Sequence, residues 1–307
     1  MKEAIKRRIR PFVLPCIHGW QWLHDYSVRN VGDYRDRRKV LRGETIVAED
    51  VHGTRFALYP WDRPNSHYLY RRPQDAAGFQ VIPRMVKPGD IAFDVGANIG
   101  IYSVLLSRLC GSAGRVWAFE PVADTYWRLR ETLALNRCEN VFPIQAAMSD
   151  RQGSVRMNLF EPQYAELNSL GVRSVTTVTG RPVSPCQSVE VSAYALDQFC
   201  DANRIERINF LKVDVEGFEL SVFHGAEHML RERRVDYICF EISKEALRAS
   251  SVETSAVIGA LEAHGYLTYR LDGTTKRFQG PIQDTGESWA NFFASYRDLS
   301  HLDEIAR

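Results

Sequence analysis

From residue 88 onward, short continuously apolar runs alternate with stretches of helical spacing, and this alternation constrains the fold more than any other feature of the chain. Runs at 91–97, 115–120, 141–147, 208–215 and 235–242 read as strands, and 99–110, 123–136, 217–232 and 252–264 read as helices. Two more runs, 266–271 and 289–296, close the series; no helical pattern separates them, so one of the two is expected to be antiparallel. Strands without apolar–polar alternation are buried on both faces, which takes helices on both sides of a largely parallel sheet. The expectation is an α/β, doubly wound fold on a mostly parallel seven-stranded sheet, spanning residues 88–300.

Two shorter segments precede it. Residues 43–87 read as a hairpin at 44–60, turning at His52-Gly53, followed by a helix at 79–86. Together with what comes before, they form an N-terminal helical and hairpin extension. Between the third and fourth strands, residues 161–188 are rich in Ser, Thr, Val, Pro and Gly, and so long a loop in a compact domain reads as a substrate-side insertion.

The first 42 residues are separate in character. They carry 11 Lys/Arg against 4 Asp/Glu, or +7, on a body of −6. Pro11, Pro15, His18 and Gln21 interrupt the apolar run of this leader, and no small-residue cleavage site follows, which argues against a signal peptide. A basic arm with Phe12, Trp20, Trp22 and Leu23 is suited to peripheral contact with an anionic membrane; packing on the body or on another subunit is the plainer reading. No stretch approaches the roughly 20 apolar residues of a membrane helix. The six cysteines include no C-x-x-C pair and are widely and irregularly spaced, so they read as free thiols in a reducing, cytoplasmic setting, with disulfides as the alternative.

Chemistry concentrates where the strands end. Asp94-Val95-Gly96-Ala97-Asn98-Ile99-Gly100 closes the first strand, where open α/β sheets bind ligands. Gly96 and Gly100 permit a tight turn and close backbone approach, but Asn98 stands where a dinucleotide fingerprint wants its second glycine. Asp94 would repel a phosphate and attract a cation, so S-adenosylmethionine, with its amino group and sulfonium, fits better than NAD. Glu120 ends the second strand at the distance at which a carboxylate reaches a ribose. Ala147, Met148, Ser149 and Asp150 close the third strand and could flank an adenine, or could form an ordinary turn.

The fourth strand ends in Lys212-Val213-Asp214-Val215-Glu216-Gly217-Phe218-Glu219. Three carboxylates in six residues are costly without a task. Asp214 and Glu216 share a face if the strand persists, and Glu216 and Glu219 share one if the helix starts early. Binding the methionine amino group, orienting a substrate hydroxyl and acting as base are the candidate roles; capping beside Gly217 is the structural alternative. His224 and His228 stand i, i+4, but Gly225 lies between them and no H-E-x-x-H motif is present, so no metal site is expected. Tyr68, Tyr70, Arg71 and Arg72 could meet an acidic or sugar substrate, or simply pack on the surface.

Taken in order, DVGANIG, FEP, AMSD, Leu196-Asp197, KVDVEGFE and Phe240-Glu241-Ile242 resemble the FkbM-type methyltransferase family, a branch of the Rossmann-like class I SAM-dependent methyltransferases. The resemblance covers about residues 50–296. It implies S-adenosylmethionine as donor and a hydroxyl acceptor on a sugar, glycan or natural product. It places Asp94, Gly96, Asn98, Gly100, Glu120, Ala147, Ser149, Asp150 and Asp214 around the cofactor. Asp214 or Glu216 would hold the acceptor or take its proton, with Glu241 in support. One departure is the Gly78-Phe79-Gln80 segment, where the family commonly has a Tyr-Glu pair near a glycine. Competing readings are an NAD(P)-dependent oxidoreductase or epimerase, which lacks its glycine triplet and Tyr-x-x-x-Lys here, and a non-catalytic SAM-fold scaffold. The acidic body argues against a nucleic-acid substrate.

Overall fold

A computed structural model describes residues 45–49, 53–59, 76–161, 168–171, 175–176, 182–272, 275, 277–283, 289–300 and 302. The basic leader 1–42 and the Tyr68–Arg72 cluster lie outside the described residues. The chain divides into two compact units, 1–72 and 73–307. In the first, β1 (Ile46–Glu49) and β2 (Arg55–Leu58) pair antiparallel across the turn that holds Gly53.

The second unit opens with α1 (Ala76–Met85), then β3 (Ile91–Val95), α2 (Ile101–Cys110), β4 (Arg115–Phe119), α3 (Ala123–Leu135) and β5 (Val141–Ile144). There follow β6 (Ala147–Ser149), β7 (Gly153–Leu159), β8 (Val175–Thr176), β9 (Pro182–Val183), β10 (Gln187–Ala195) and α4 (Leu196–Asn203). The chain continues through β11 (Ile208–Val213), α5 (Glu219–His224), α6 (Glu227–Arg231), β12 (Val235–Ser243), α7 (Lys244–Ala249) and α8 (Thr254–Glu262). It ends with β13 (Leu267–Leu271), β14 (Phe278–Gln279) and β15 (Trp289–Ser295).

The main sheet runs β14-β13-β15-β12-β11-β3-β4-β5. The five strands β12, β11, β3, β4 and β5 are parallel neighbours, and β15 is antiparallel to both β12 and β13. The expected doubly wound sheet is therefore present, with β15 as its reversed strand. It has eight strands rather than seven, because the two-residue β14 pairs on the outside of β13. Residue parity sorts its two faces. Ala92, Val116, Ala118, Phe210, Cys239 and Phe293 pack with Val81, Val104, Leu106 and Leu129 from α1, α2 and α3. Phe93, Val95, Phe119, Leu211, Val213 and Phe240 pack with Phe199, Val222, Met229 and Leu261 from the later helices. Burial of this area on both faces supplies most of the drive to fold.

Three sequence expectations need correction. The run 141–147 is not one strand: it breaks after Ile144, and Ala147–Ser149 joins a separate sheet ordered β6-β10-β7. That second sheet takes in both flanks of the insertion, so 187–188 is strand and not loop, and Asn158 bridges Ser169 within it. The helix expected over 217–232 is two short helices. They are parted at Gly225, where a Cβ would stand 2.0 Å from the Ser149 carbonyl oxygen. The break also separates His224 from His228, whose Nε2 lies 2.7 Å from Glu232 Oε1.

Cys110, Cys138, Cys186 and Cys200 are free thiols, and burial pushes Cys110 and Cys200 up to about 12. No helix among the described residues is long and apolar enough to cross a membrane.

Candidate functional site

The strand order changes direction between β3 and β11. From β3 the chain moves outward through β4 and β5, then returns to lay β11 and β12 on the other side. Such a switch point opens a crevice beyond the carboxyl ends of the strands. The glycine turn of 96–100 and the acidic turn of 214–217 leave the two strands that flank it.

The glycine turn is held from both sides. Gly96 and Ala97 each donate a backbone hydrogen bond to the Phe119 carbonyl (3.0 and 2.9 Å), and Asp214 N donates to the Val95 carbonyl (2.9 Å). Gly96, Asn98 and Gly100 have φ of 80°, 50° and 94°, in the left-handed region that favours glycine. A Cβ on Gly96 would lie 1.8 Å from the Asp214 carbonyl oxygen. Asn98 adopts the conformation at lower cost than most side chains.

Glu120, 7% exposed, ties this turn to β4: its Oε2 accepts from Asn98 N and its Oε1 from Val122 N, both at 3.0 Å. Burial pushes its carboxyl up to about 7, against those two backbone bonds. Asp94 is 1% exposed, and its Oδ2 accepts from the Ser103 hydroxyl at 2.6 Å, which fixes the start of α2. Burial pushes Asp94 up to about 6, while Ser103 and Lys212 favour its charge. Asp94 is thus buried behind the turn and held against α2. Ala147 and Ser149 are buried in β6, where the Ser149 hydroxyl donates to the exposed Asp150 (3.1 Å).

On the other flank, Glu216 (φ 52°) and Gly217 (φ 94°) are consecutive left-handed residues in the turn that follows β11 and leads into α5. Non-glycine strain of this kind is held only by a surrounding structure that insists on it. Here Gly217 packs so closely on α7 that a Cβ would stand 2.6 Å from the Ala246 carbonyl. The turn brings Asp214, Glu216 and Glu241 together: one carboxylate oxygen of each lies within 4.8 Å of the other two. That spacing could hold one divalent cation, or a hydroxyl between acids. Lys212 Nζ stands 3.3 Å from Asp214 Oδ2 and places a positive charge against the group.

Glu219 belongs to the same turn but faces inward. It is 1% exposed, its Oε1 accepts from Gly217 N (3.1 Å), and its Oε2 has no hydrogen-bond partner among the described residues. Burial pushes it up to about 7, with Glu216 and Asp214 adding to the rise. The folded chain thus holds this proton more tightly than the unfolded chain, whose carboxyl titrates near 4.3. Its contribution to stability is present below pH 4 and is lost as pH rises through 7. Glu219→Gln removes that loss, so its stability relative to wild type is expected to grow by about 2 kcal/mol between pH 5 and pH 8. Urea unfolding at the two pH values measures it, and an unchanged difference would rule out the buried proton.

Sequence reasoning passed over two neighbours. Asn291 on β15 pairs in register with Glu241, and its Oδ1 is buried with no hydrogen-bond partner among the described residues. Tyr102, at the start of α2, puts its ring 5.0 Å from Lys212 Nζ and 5.4 Å from Phe79. The Gly78-Phe79-Gln80 departure falls here: a Cβ on Gly78 would stand 3.2 Å from the Tyr102 hydroxyl.

Comparisons with known proteins place the chain among methyltransferases. The family model "Methyltransferase FkbM domain" matches residues 94–268. The hexuronic acid methyltransferase AglP of Haloferax volcanii is 29% identical over 175 residues, which are 56% of this chain and 65% of that protein. The 31-O-demethyl-FK506 methyltransferase FkbM of Streptomyces tacrolimicus is 31% identical over 161 residues, 46% of this chain and 61% of that protein. The 2-O-methyltransferase NoeI of Sinorhizobium fredii is 24% identical over 194 residues, 59% of this chain and 75% of that protein. The chain thus spans just under two thirds of the length of the first two.

Proposed function

The chain belongs to the FkbM methyltransferase family, and from that premise we propose that it transfers a methyl group from S-adenosylmethionine to a hydroxyl of a sugar, glycan or natural product. The observation that carries this reading is the meeting of Asp214, Glu216 and Glu241 within 4.8 Å at the strand ends beside the glycine turn. The residues fit the cofactor. The turn is lined by buried acids, Glu120 and Asp94, which suit a cation and disfavour the pyrophosphate of a dinucleotide. Asn98 weakens the oxidoreductase reading separately, because its side chain would crowd a pyrophosphate where the fingerprint wants glycine. The names of FkbM and NoeI support oxygen as the methylated atom, and those of AglP and FkbM support a sugar acid or a natural product as acceptor.

S-adenosylmethionine supplies an electrophilic methyl on a positively charged sulfur. Glu120 keeps an acceptor lone pair on each oxygen beyond its two backbone bonds, for a ribose hydroxyl. Asp214 and Glu216 hold the acceptor hydroxyl in line, and one of them takes its proton as the new C–O bond forms. Orientation of this kind supplies much of the rate, and the proton transfer adds about 10²–10⁴-fold. Glu241 supports the pair from β12.

Tritiated methyl transfer from S-adenosylmethionine into fractionated glycans, lipids and small molecules tests the reading. Label in a hydroxyl-bearing fraction is expected. Calorimetric binding of NADH in place of S-adenosylmethionine would refute it. The basic leader 1–42 is assigned to location: deleting residues 1–40 is expected to preserve turnover of a soluble acceptor while lowering retention on anionic vesicles, measured by sedimentation.

A further inference from the structure

We propose that Lys212 is the built-in counter-cation of the acidic cluster and the positioning residue for Asp214, and that its charge sets the balance between sulfonium donor and neutral sulfide product. The inference rests on the methyl-transfer reading and deepens it.

Lys212 sits in the middle of the sheet. It pairs in register with Asp94 on β3 and with the buried Cys239 on β12. Its side chain is 1% exposed. A lysine in such a place is costly unless its charge is compensated. The compensation is visible: Nζ stands 3.3 Å from Asp214 Oδ2 and 5.0 Å from the centre of the Tyr102 ring. No hydrogen bond satisfies its three N–H donors among the described residues. Burial works against its ammonium, but Asp214, Cys239, Glu241 and Asp94 together hold its pKa above the ordinary lysine value. The cation thus stands against both the Tyr102 ring and the Asp214 carboxylate.

Methyl transfer changes the charge of this site. The acceptor oxygen bonds to the methyl carbon as the S–C bond breaks, the electron pair stays on sulfur, and the hydroxyl proton passes to a carboxylate. One positive charge leaves sulfur and one negative charge leaves the cluster. A fixed ammonium beside the cluster opposes the sulfonium before transfer, and that opposition ends when sulfur becomes neutral. The same ammonium keeps Asp214 from being pushed aside by the other acids.

Binding of S-adenosylmethionine and S-adenosylhomocysteine separates this role from simple packing, because the two differ by the charge on sulfur. With Lys212→Met, the ratio of Kd for the sulfide to Kd for the sulfonium is expected to rise about tenfold. Lys212→Arg, which keeps the charge, should stay within about twofold of wild type. A folded Lys212→Met protein with an unchanged ratio overturns the proposal. Should that variant not fold, Asp214→Asn and the double variant Lys212→Met/Asp214→Asn decide it. Losing the anion alone should lower the ratio, and losing both charges should return it to within about threefold of wild type. A double variant that stays at the Asp214→Asn value overturns the inference. A wild-type chain that binds neither ligand refutes the methyl-transfer reading itself and takes this inference with it.

Discussion

Gly96→Ala is expected to abolish S-adenosylmethionine binding. The added Cβ would stand 1.8 Å from the Asp214 carbonyl oxygen and 2.8 Å from its carbon. Both are backbone atoms, so no side chain can swing aside. The backbone cannot retreat either, because Asp214 N is bonded to the Val95 carbonyl, and Gly96 and Ala97 N are bonded to the Phe119 carbonyl. Alanine at φ 80° adds a left-handed penalty of about 1 kcal/mol. Overpacking a site with no free volume adds about 1–3 kcal/mol more. The relief open to the chain is to part β3 from β11 at the switch point, which dismantles the cofactor crevice. Gly89→Ala is the control. It has φ 93° but nothing within 4 Å of its Cβ, so it carries the backbone penalty alone. Calorimetric titration and thermal melting of both variants check the prediction. Gly96→Ala with an affinity within threefold of wild type would show that the turn does not hold the cofactor.

The contrast between these two glycines also marks how far the chain can be read without coordinates. The doubly wound core is legible because its strands are apolar without interruption, as in 91–95 and 208–213, and their parity sorts residues onto two helical layers. The glycine turn is legible because left-handed positions leave a composition signature. The close approach of Gly96 to Asp214 is not, since it joins residues more than a hundred positions apart. The second sheet escaped for a related reason. Its strand β6 has only three residues, and β10 is half exposed along most of its length, so neither has a continuous apolar run. Gly225 looks like a helix interruption in the sequence; its packing on the Ser149 carbonyl is what makes the break necessary. The meeting of Asp214, Glu216 and Glu241 was accessible from their positions at strand ends, because adjacent parallel strands deliver their carboxyl ends to one edge. Lys212 was visible only as a letter within a motif. Its neighbour Tyr102 comes from the other side of the switch point.

Glu216→Gln should lower kcat by about 10²–10⁴-fold while leaving S-adenosylmethionine affinity within about threefold of wild type. The substitution keeps length, shape and one acceptor oxygen, and removes the charge and the capacity to take a proton. It keeps the backbone conformation too, since Gln and Glu meet the same cost at φ 52°. The turn itself is pinned by Gly217 against Ala246 of α7, so its geometry does not depend on the Glu216 charge. The affinity expectation follows from placement. Asp94 and Glu120 lie along the glycine turn, whereas Glu216 leaves β11 on the far side of the crevice and joins Glu241 from β12. Loss of an acid there acts on the acceptor and its proton. Glu241→Gln tests the supporting role: it should cost less than Glu216→Gln, because Glu241 acts through the other two carboxylates. Steady-state label transfer into the accepted fraction gives kcat, and calorimetry gives the affinity. A Glu216→Gln enzyme that turns over within twofold of wild type, with the cofactor bound, would move the proton-accepting role to Asp214.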